Sequence, residues 1–207
     1  MTVRTIGNPD AKIILVQALE QRGLDRIEEQ MTKIQLYTQA DFGMIAVGVT
    51  DWNRELSPWE APPVFGKEGF GGEARILLER ILPLLEDASK TYYIGGYSLA
   101  GLFALWSCYQ TDRFAGVAAA SPSVWFPDLD VYMKNNRPRC GAVYLSLGDR
   151  EEKTKNRVMA TVGDRIREGY QLLKDQGIDT VLEWNEGNHF RDADLRVAKA
   201  FAWLINK

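Results

Sequence analysis

The sequence predicts an α/β domain in which helices cover both faces of a mainly parallel β-sheet. Two observations lead to this expectation. Six short runs of β-forming residues alternate along the chain with longer stretches whose apolar residues recur every three or four positions. No repeat or linker interrupts this alternation, and 207 residues suit one domain, expected to span 1–207. Because helical crossovers must then join successive strands, the strands are expected to run parallel.

The six predicted strands are compact runs of apolar or small residues, typical of strands that are buried on both faces. They are expected at 12–16, 44–49, 92–96, 115–120, 142–147 and 180–184. Helices are expected at 24–34, 76–85, 99–109, 128–136, 158–173 and 195–205. Sites in such sheets lie at the carboxyl ends of the strands, so functional side chains are expected in the loops that follow them.

Composition excludes several classes of function. The chain has 25 basic and 28 acidic residues, a net charge of −3 and no basic block, which argues against a nucleic-acid partner. No apolar run approaches the roughly 18 residues that span a bilayer, and no apolar signal segment is visible at the start, so a cytoplasmic protein without membrane contact is expected. The single histidine, His189, and two cysteines leave no multi-histidine or thiolate metal centre, and no cofactor is expected.

Ser98 is the candidate nucleophile. It lies in Gly96-Tyr97-Ser98-Leu99-Ala100, between the third predicted strand and a helix. A sharp strand-to-helix turn of this kind exposes a serine hydroxyl above the sheet, and it requires small residues two positions before and after the serine. The amide of Leu99 is then the expected oxyanion donor. The competing interpretation is an ordinary serine N-cap after a glycine-rich turn.

His189 is the candidate general base. In this geometry the chain order is serine, acid, histidine, with the histidine after the last strand. His189 lies in that loop, and the side chain suits activation of a hydroxyl near neutral pH. The alternative is a loop histidine with no function.

The candidate acid follows the strand at 142–147, where three carboxylates compete. Asp149, Glu151 and Glu152 all lie just beyond Gly148. The acid must reach the second imidazole nitrogen, and spacing alone does not choose between them.

With these motifs, and with Ser121-Pro122-Ser123-Val124-Trp125 after the following strand, the sequence resembles the α/β-hydrolase superfamily and, within it, esterases of the esterase D type. The resemblance implies a three-layer α/β-hydrolase fold, in a compact version that lacks N-terminal strands. It favours Glu151 as the acid, three residues past the glycine that ends the strand. It also implies a second oxyanion donor after the first predicted strand, at the amide of Leu19 or Ala18.

A long loop at 51–72 is expected to lie over the active site, because loops of this length inside a compact domain are usually functional. It contains Trp52 and Trp59, which together with Trp125 are expected to bind the substrate. The alternative is that these aromatic residues pack the loop onto the sheet.

The predicted function is a serine hydrolase that cleaves small-molecule carboxylic esters through a Ser-His-acid triad and an acyl-enzyme intermediate. One alternative uses the same triad on a thioester or an amide. Another is a binding protein of the same fold with an inert site. The sequence carries no prediction of the oligomeric state.

Overall fold

A computed structural model describes residues 2–207, which fold around a large central sheet and a separate two-stranded ribbon. The strands are, in chain order, β1 (Val3–Gly7), β2 (Ile13–Leu19), β3 (Phe42–Gly48), β4 (Glu60–Ala61), β5 (Phe70–Gly71), β6 (Thr91–Tyr97), β7 (Gly116–Ala120), β8 (Ala142–Gly148) and β9 (Asp179–Asn185). The α-helices are α1 (Gln21–Asp25), α2 (Ile27–Gln35), α3 (Trp52–Glu55), α4 (Ala74–Ile81), α5 (Leu99–Gln110), α6 (Leu129–Asn135), α7 (Val162–Asp175) and α8 (Ala193–Ile205). Short 3₁₀ helices follow α4 and precede α7. Within residues 2–207, no helix is long and apolar enough to cross a bilayer.

The central sheet has seven strands in the order β1-β3-β2-β6-β7-β8-β9. Strand β1 pairs antiparallel with β3, and every other neighbouring pair is parallel. Because side chains alternate across a strand, β2 contributes Ile14 and Val16 to one hydrophobic core and Leu15 to the other. Helices α4, α5 and α7 cover the first face, and α2 and α8 cover the second. The predicted three-layer α/β architecture is confirmed.

All six predicted strands are present, with bounds that differ by no more than three residues at either end. Strand β1 was not predicted, and the expected absence of N-terminal strands needs this correction. Its residues are almost all exposed, because it is the edge strand of the sheet, and its mixed sequence Val3-Arg4-Thr5-Ile6-Gly7 lacks the continuous apolar run that identified the other strands. The 51–72 segment is also more ordered than expected, since it contains α3 and the β4–β5 ribbon.

The order of the sheet brings the candidate loops together. Strands β6, β7, β8 and β9 are parallel neighbours, so their carboxyl ends meet at one edge. Ser98 directly follows β6, and Ser121 directly follows β7. Glu151 lies three residues beyond β8, and His189 lies four residues beyond β9. Side chains that are far apart in the sequence therefore converge at this edge.

Candidate active site

The turn that carries Ser98 has the tight geometry that its sequence predicts. Ser98 has a positive φ of 58° with ψ of −122°, a conformation that is costly for a residue other than glycine. A Cβ atom at Gly96 would lie 2.7 Å from backbone and side-chain atoms of Ala100, so a larger residue cannot be accommodated without movement. The turn therefore holds the Ser98 hydroxyl at the N-terminus of α5, above the edge of the sheet.

Ser98, His189 and Glu151 form a continuous chain of hydrogen bonds. The Oγ atom of Ser98 lies 3.0 Å from Nε2 of His189, and Nδ1 of the same ring lies 2.6 Å from Oε2 of Glu151. The imidazole is partly open to solvent, with 26% of the side chain exposed, whereas only 4% of the Glu151 side chain is exposed. The structure thus brings together the three side chains that the sequence analysis selected as nucleophile, base and acid.

Asp149, the alternative acid, has a different contact. Its Oδ1 accepts a hydrogen bond of 2.8 Å from the backbone amide of Gly187. Asp149 therefore binds the backbone of the loop that carries His189, while Glu151 binds the imidazole ring itself. Glu152, the third carboxylate of this loop, pairs with Arg167 on α7.

The second oxygen of Glu151 is held by three donors. Oε1 accepts hydrogen bonds from Ser121 Oγ at 2.7 Å, from the Gly148 amide at 2.7 Å and from Arg196 Nη1 at 2.6 Å. Burial acts to raise the pKa of Glu151, but the hydrogen bonds and charge that favour the carboxylate, chiefly those of His189, outweigh it and hold the pKa below its ordinary value. Glu151 is therefore ionised at neutral pH, although it is buried.

Tyr97 fixes the backbone at His189. Its hydroxyl donates a hydrogen bond of 2.7 Å to the carbonyl oxygen of His189 and accepts one from Arg196. Burial raises the pKa of Tyr97 to about 12, so this phenol keeps its proton at neutral pH and remains a donor. The histidine is thus held both through its ring and through its backbone.

Two candidate oxyanion donors lie at the same edge. Leu99 is the first residue of α5, so its amide has no acceptor one turn earlier in the helix. Leu19 is the last residue of β2. Gln17 of β2 pairs with Gly95 of β6 in the parallel sheet, and Leu19 and Tyr97 each lie two positions further along these strands. Leu19 lines a cavity of about 250 Å³ together with Gln17 and Tyr97, on the α2 and α8 side of the site. Ala18, the alternative donor, has its side chain in the opposite core.

A larger cavity of about 470 Å³ opens beside His189. Trp125 and Phe190 supply aromatic surface, and the Phe190 side chain, next to the histidine in sequence, is 89% exposed. Three basic side chains also line this cavity: Arg150, Lys153 and Lys155. Within residues 2–207, none of these three has a carboxylate within salt-bridge distance. The cavity therefore combines an aromatic wall with unpaired positive charge.

Trp52 and Trp59, which the sequence suggested as substrate-binding residues, do not line the cavity beside His189. The indole nitrogen of Trp59 donates to the carbonyl oxygen of Pro127, and its ring packs on Phe126. Trp52 is half-buried against the core on the α4 and α5 side. Both tryptophans thus pack this segment against the rest of the domain, and of the three tryptophans Trp125 alone lines the cavity beside His189.

Some residues of the site were not selected from the sequence. Arg196 is the most important, because it is buried on α8 and contacts Glu151 directly. Its spacing of four and eight residues from the buried Ala200 and Leu204 placed it on the apolar face of the helix, which is an unusual position for a charge. Ser121 belongs to the motif that follows β7, and its positive φ of 41° is not readable from sequence. Within residues 2–207, His, Cys, Asp and Glu side chains form no group of three or more that could hold a metal ion.

Sequence comparison identifies a distant relative of this chain but no matching family model. No model of a protein family matches the sequence. The chain is 22% identical to the uncharacterized protein YbbA of Bacillus subtilis (strain 168), in a 185-residue alignment that covers 79% of this chain and 74% of that protein.

Solved structures with the same fold include two hydrolases. An IroE-like serine hydrolase from Shewanella oneidensis superposes with a TM-score of 0.76 at 16% identity, over 99% of this chain and 75% of that one. The siderophore hydrolase EstA from Aspergillus nidulans superposes with a TM-score of 0.73 at 19% identity, over 97% of this chain and 85% of that one. The chain therefore has the α/β-hydrolase fold that these serine and siderophore hydrolases share.

Proposed function

We propose that this protein is a serine hydrolase that cleaves carboxylic esters, with Ser98 as nucleophile, His189 as general base and Glu151 as the acid that orients the imidazole. The observation that carries the proposal is the unbroken hydrogen-bonded chain from Ser98 through His189 to Glu151. The Ser98 turn and the fold shared with serine hydrolases give it independent support.

The mechanism has two acyl-transfer steps. His189 Nε2 removes the proton from Ser98 Oγ as this oxygen attacks the ester carbonyl, and the Leu99 amide stabilises the oxyanion together with a second donor, for which we propose Leu19. The imidazolium then donates its proton to the leaving alcohol, which leaves the acyl group on Ser98. In the second step His189 deprotonates a water molecule, and hydroxide attack releases the carboxylic acid and restores Ser98.

We infer that the preferred ester carries negative charge and an aromatic or other apolar group. In the cavity beside His189, Trp125 and Phe190 offer surface for an aromatic or apolar group. The unpaired side chains of Arg150, Lys153 and Lys155 offer partners for a negative charge. Positive charge that lines a cavity attracts and orients anionic ligands. Since EstA is a siderophore hydrolase, siderophore esters belong among the substrates to be tested.

The proposal is tested by hydrolysis of p-nitrophenyl butyrate, its thioester analogue and the corresponding anilide by wild-type protein and by Ser98→Ala. Ester hydrolysis that is lost in Ser98→Ala supports the proposal. Faster turnover of the thioester or the anilide would favour the alternative substrates of the same site. Equal rates for the two proteins on all three compounds would contradict the proposed catalytic activity and favour an inert binding site.

A further inference from the structure

We propose that Arg196 is a positioning residue, which fixes the triad acid and the loop of the triad histidine relative to each other. This inference rests on the proposed function, because it assigns Arg196 a part in the same reaction. Arg196 touches neither the nucleophile nor the cavity, so any effect on the reaction must pass through Glu151 and His189.

One nitrogen of the guanidinium group holds the acid. Arg196 Nη1 lies 2.6 Å from Oε1 of Glu151, 3.0 Å from Ser121 Oγ and 3.1 Å from the hydroxyl of Tyr97. The side chains of Arg196 and Glu151 are 2% and 4% exposed. Because Oε1 is bound in this way, the carboxylate plane is fixed and Oε2 is left to face the imidazole of His189.

The other nitrogen holds the histidine loop. Arg196 Nη2 donates to the carbonyl oxygen of Glu186 at 3.3 Å and to that of Asn188 at 3.0 Å. These carbonyls lie on either side of Gly187, and Asn188 directly precedes His189. A single planar group therefore connects the loop after β8 with the loop after β9. Lysine, which has one nitrogen, cannot bind both sets of partners.

The positive charge of Arg196 does not by itself explain why an arginine occupies this buried position. A buried guanidinium is costly to desolvate, and apolar residues of similar size often stabilise a fold as well as a buried ion pair does. Its positive charge also opposes the imidazolium that forms on His189 during the reaction. The benefit that remains is geometric, since small displacements of reacting groups slow catalysis strongly.

The first test compares kcat and KM for p-nitrophenyl butyrate in wild type, Arg196→Lys and Arg196→Met, each with Glu151 and with Glu151→Gln. In the Glu151 background, both Arg196 variants should lower kcat by about 10- to 100-fold, with KM changed less than about twofold. In the Glu151→Gln background the same changes should have a clearly smaller effect, because the part that acts through the carboxylate is already lost and only the contacts with the His189 loop remain. Arg191→Met is the matched control: Arg191 lies in the loop between β9 and α8 and pairs with the exposed Glu186, so its loss should leave kcat unchanged.

Full activity in Arg196→Lys would mean that charge, not geometry, is required, and full activity in Arg196→Met would mean that neither is. Equal losses in the two backgrounds would mean that Arg196 acts independently of Glu151. Each of these results overturns the proposal. Gly148→Ala is a second variant that keeps the arginine. Its new Cβ would meet the Gly187 carbonyl oxygen and would lie 2.9 to 3.0 Å from the two terminal guanidinium nitrogens, so it should displace both the guanidinium and the loop of His189 and lower kcat.

A readout that needs no activity separates this proposal from the proposed function. The protein has one histidine, so the downfield proton signal of the short His189–Glu151 hydrogen bond is assigned without ambiguity. We expect this signal in wild type and Arg191→Met and its loss in folded Arg196→Met. Its persistence in Arg196→Met would overturn the positioning role even if the wild type is an active esterase. Its loss would support that role even if no ester is hydrolysed.

Discussion

Glu151 and Arg196 form an ion pair of 2.6 Å that is almost fully buried, directly behind the imidazole of His189. The two carboxylate oxygens of Glu151 have different partners. Oε1 accepts hydrogen bonds from Arg196, Ser121 and the Gly148 amide, and Oε2 lies against the imidazole ring. Groups at the ends of β7 and β8 and on α8 therefore hold the Glu151 carboxylate in place. The proposed chemistry depends on it, because the acid must hold one orientation of the imidazole throughout the reaction.

Ser98→Ala should lower the rate of ester hydrolysis by about 10³-fold or more, because the variant lacks the hydroxyl that is hydrogen-bonded to Nε2 of His189. Steady-state hydrolysis of p-nitrophenyl butyrate measures the effect. Ser89→Ala is the control, since Ser89 is exposed and bonds only to Asp87. Comparable rates for Ser98→Ala and Ser89→Ala would remove Ser98 from the mechanism.

Glu151→Gln should lower kcat by about 10²- to 10⁴-fold, because the amide presents the wrong partner to Nδ1 and disturbs the tautomer of His189. Asp149→Asn should have a much smaller effect, since Asp149 binds the Gly187 amide and not the ring. The two variants are compared in one kinetic assay. Equal losses would refute the assignment of Glu151 as the acid.

Acid should remove the contribution of Glu151 to stability. The folded-state pKa of Glu151 lies below its ordinary value of 4.5, so the carboxylate stabilises the fold above that pH, and this contribution is lost as the pH falls through the folded-state pKa. The difference in unfolding free energy between wild type and Glu151→Gln should therefore be largest at neutral pH and shrink below about pH 4.5. Urea unfolding at several pH values measures it. A difference that stays constant from neutral pH into the acid range is the contrary result.

Gly96→Ala should destabilise the fold by about 1 to 3 kcal/mol, because its methyl group would meet Ala100 at 2.7 Å inside the Ser98 turn. Gly141→Ala is the matched control, since the nearest atom to a new Cβ there is the Ala115 oxygen at 3.8 Å. Thermal unfolding of the two variants measures the difference. If both unfold at the wild-type temperature, the turn is less tightly constrained than the structure indicates.

Lys153→Glu and Lys155→Glu should raise KM about 5- to 10-fold for an aryl ester that carries a carboxylate, and should change KM little for a neutral ester of the same size. Raising the ionic strength should reduce the effect, because these lysines are exposed. Lys174→Glu, at the end of α7, makes the same change of net charge away from the cavity. A similar rise in KM for this control, or for the neutral ester, would contradict the inference that the cavity selects anions.

The sequence was most informative where a single local constraint decides the structure. The β-rich runs predicted six strands of the central sheet, since a strand buried on both faces must be apolar. The Gly96–Ala100 spacing predicted the turn at Ser98, because steric contact across the bend leaves few alternatives. Strand β1 escaped prediction because an exposed edge places no such demand on its residues.

Contacts between distant segments were harder to foresee. Asp149 and Glu151 could not be separated by spacing, since the choice depends on how the β8 loop turns toward the β9 loop. Arg196 is 45 residues from Glu151 along the chain, and its place on the apolar face of α8 does not by itself show which carboxylate it meets. Trp59 was expected to bind substrate because it lies in a long loop rich in aromatic residues, whereas in the structure it contacts Pro127 and Phe126.

The most direct test of the proposed chemistry is labelling of the folded protein with a fluorophosphonate, followed by peptide mapping of the modified residue. We expect one label per chain, located on Ser98, at a rate that falls sharply in His189→Ala. Absence of label on folded wild-type protein, or label at another residue, would contradict the assignment of Ser98 as the activated nucleophile.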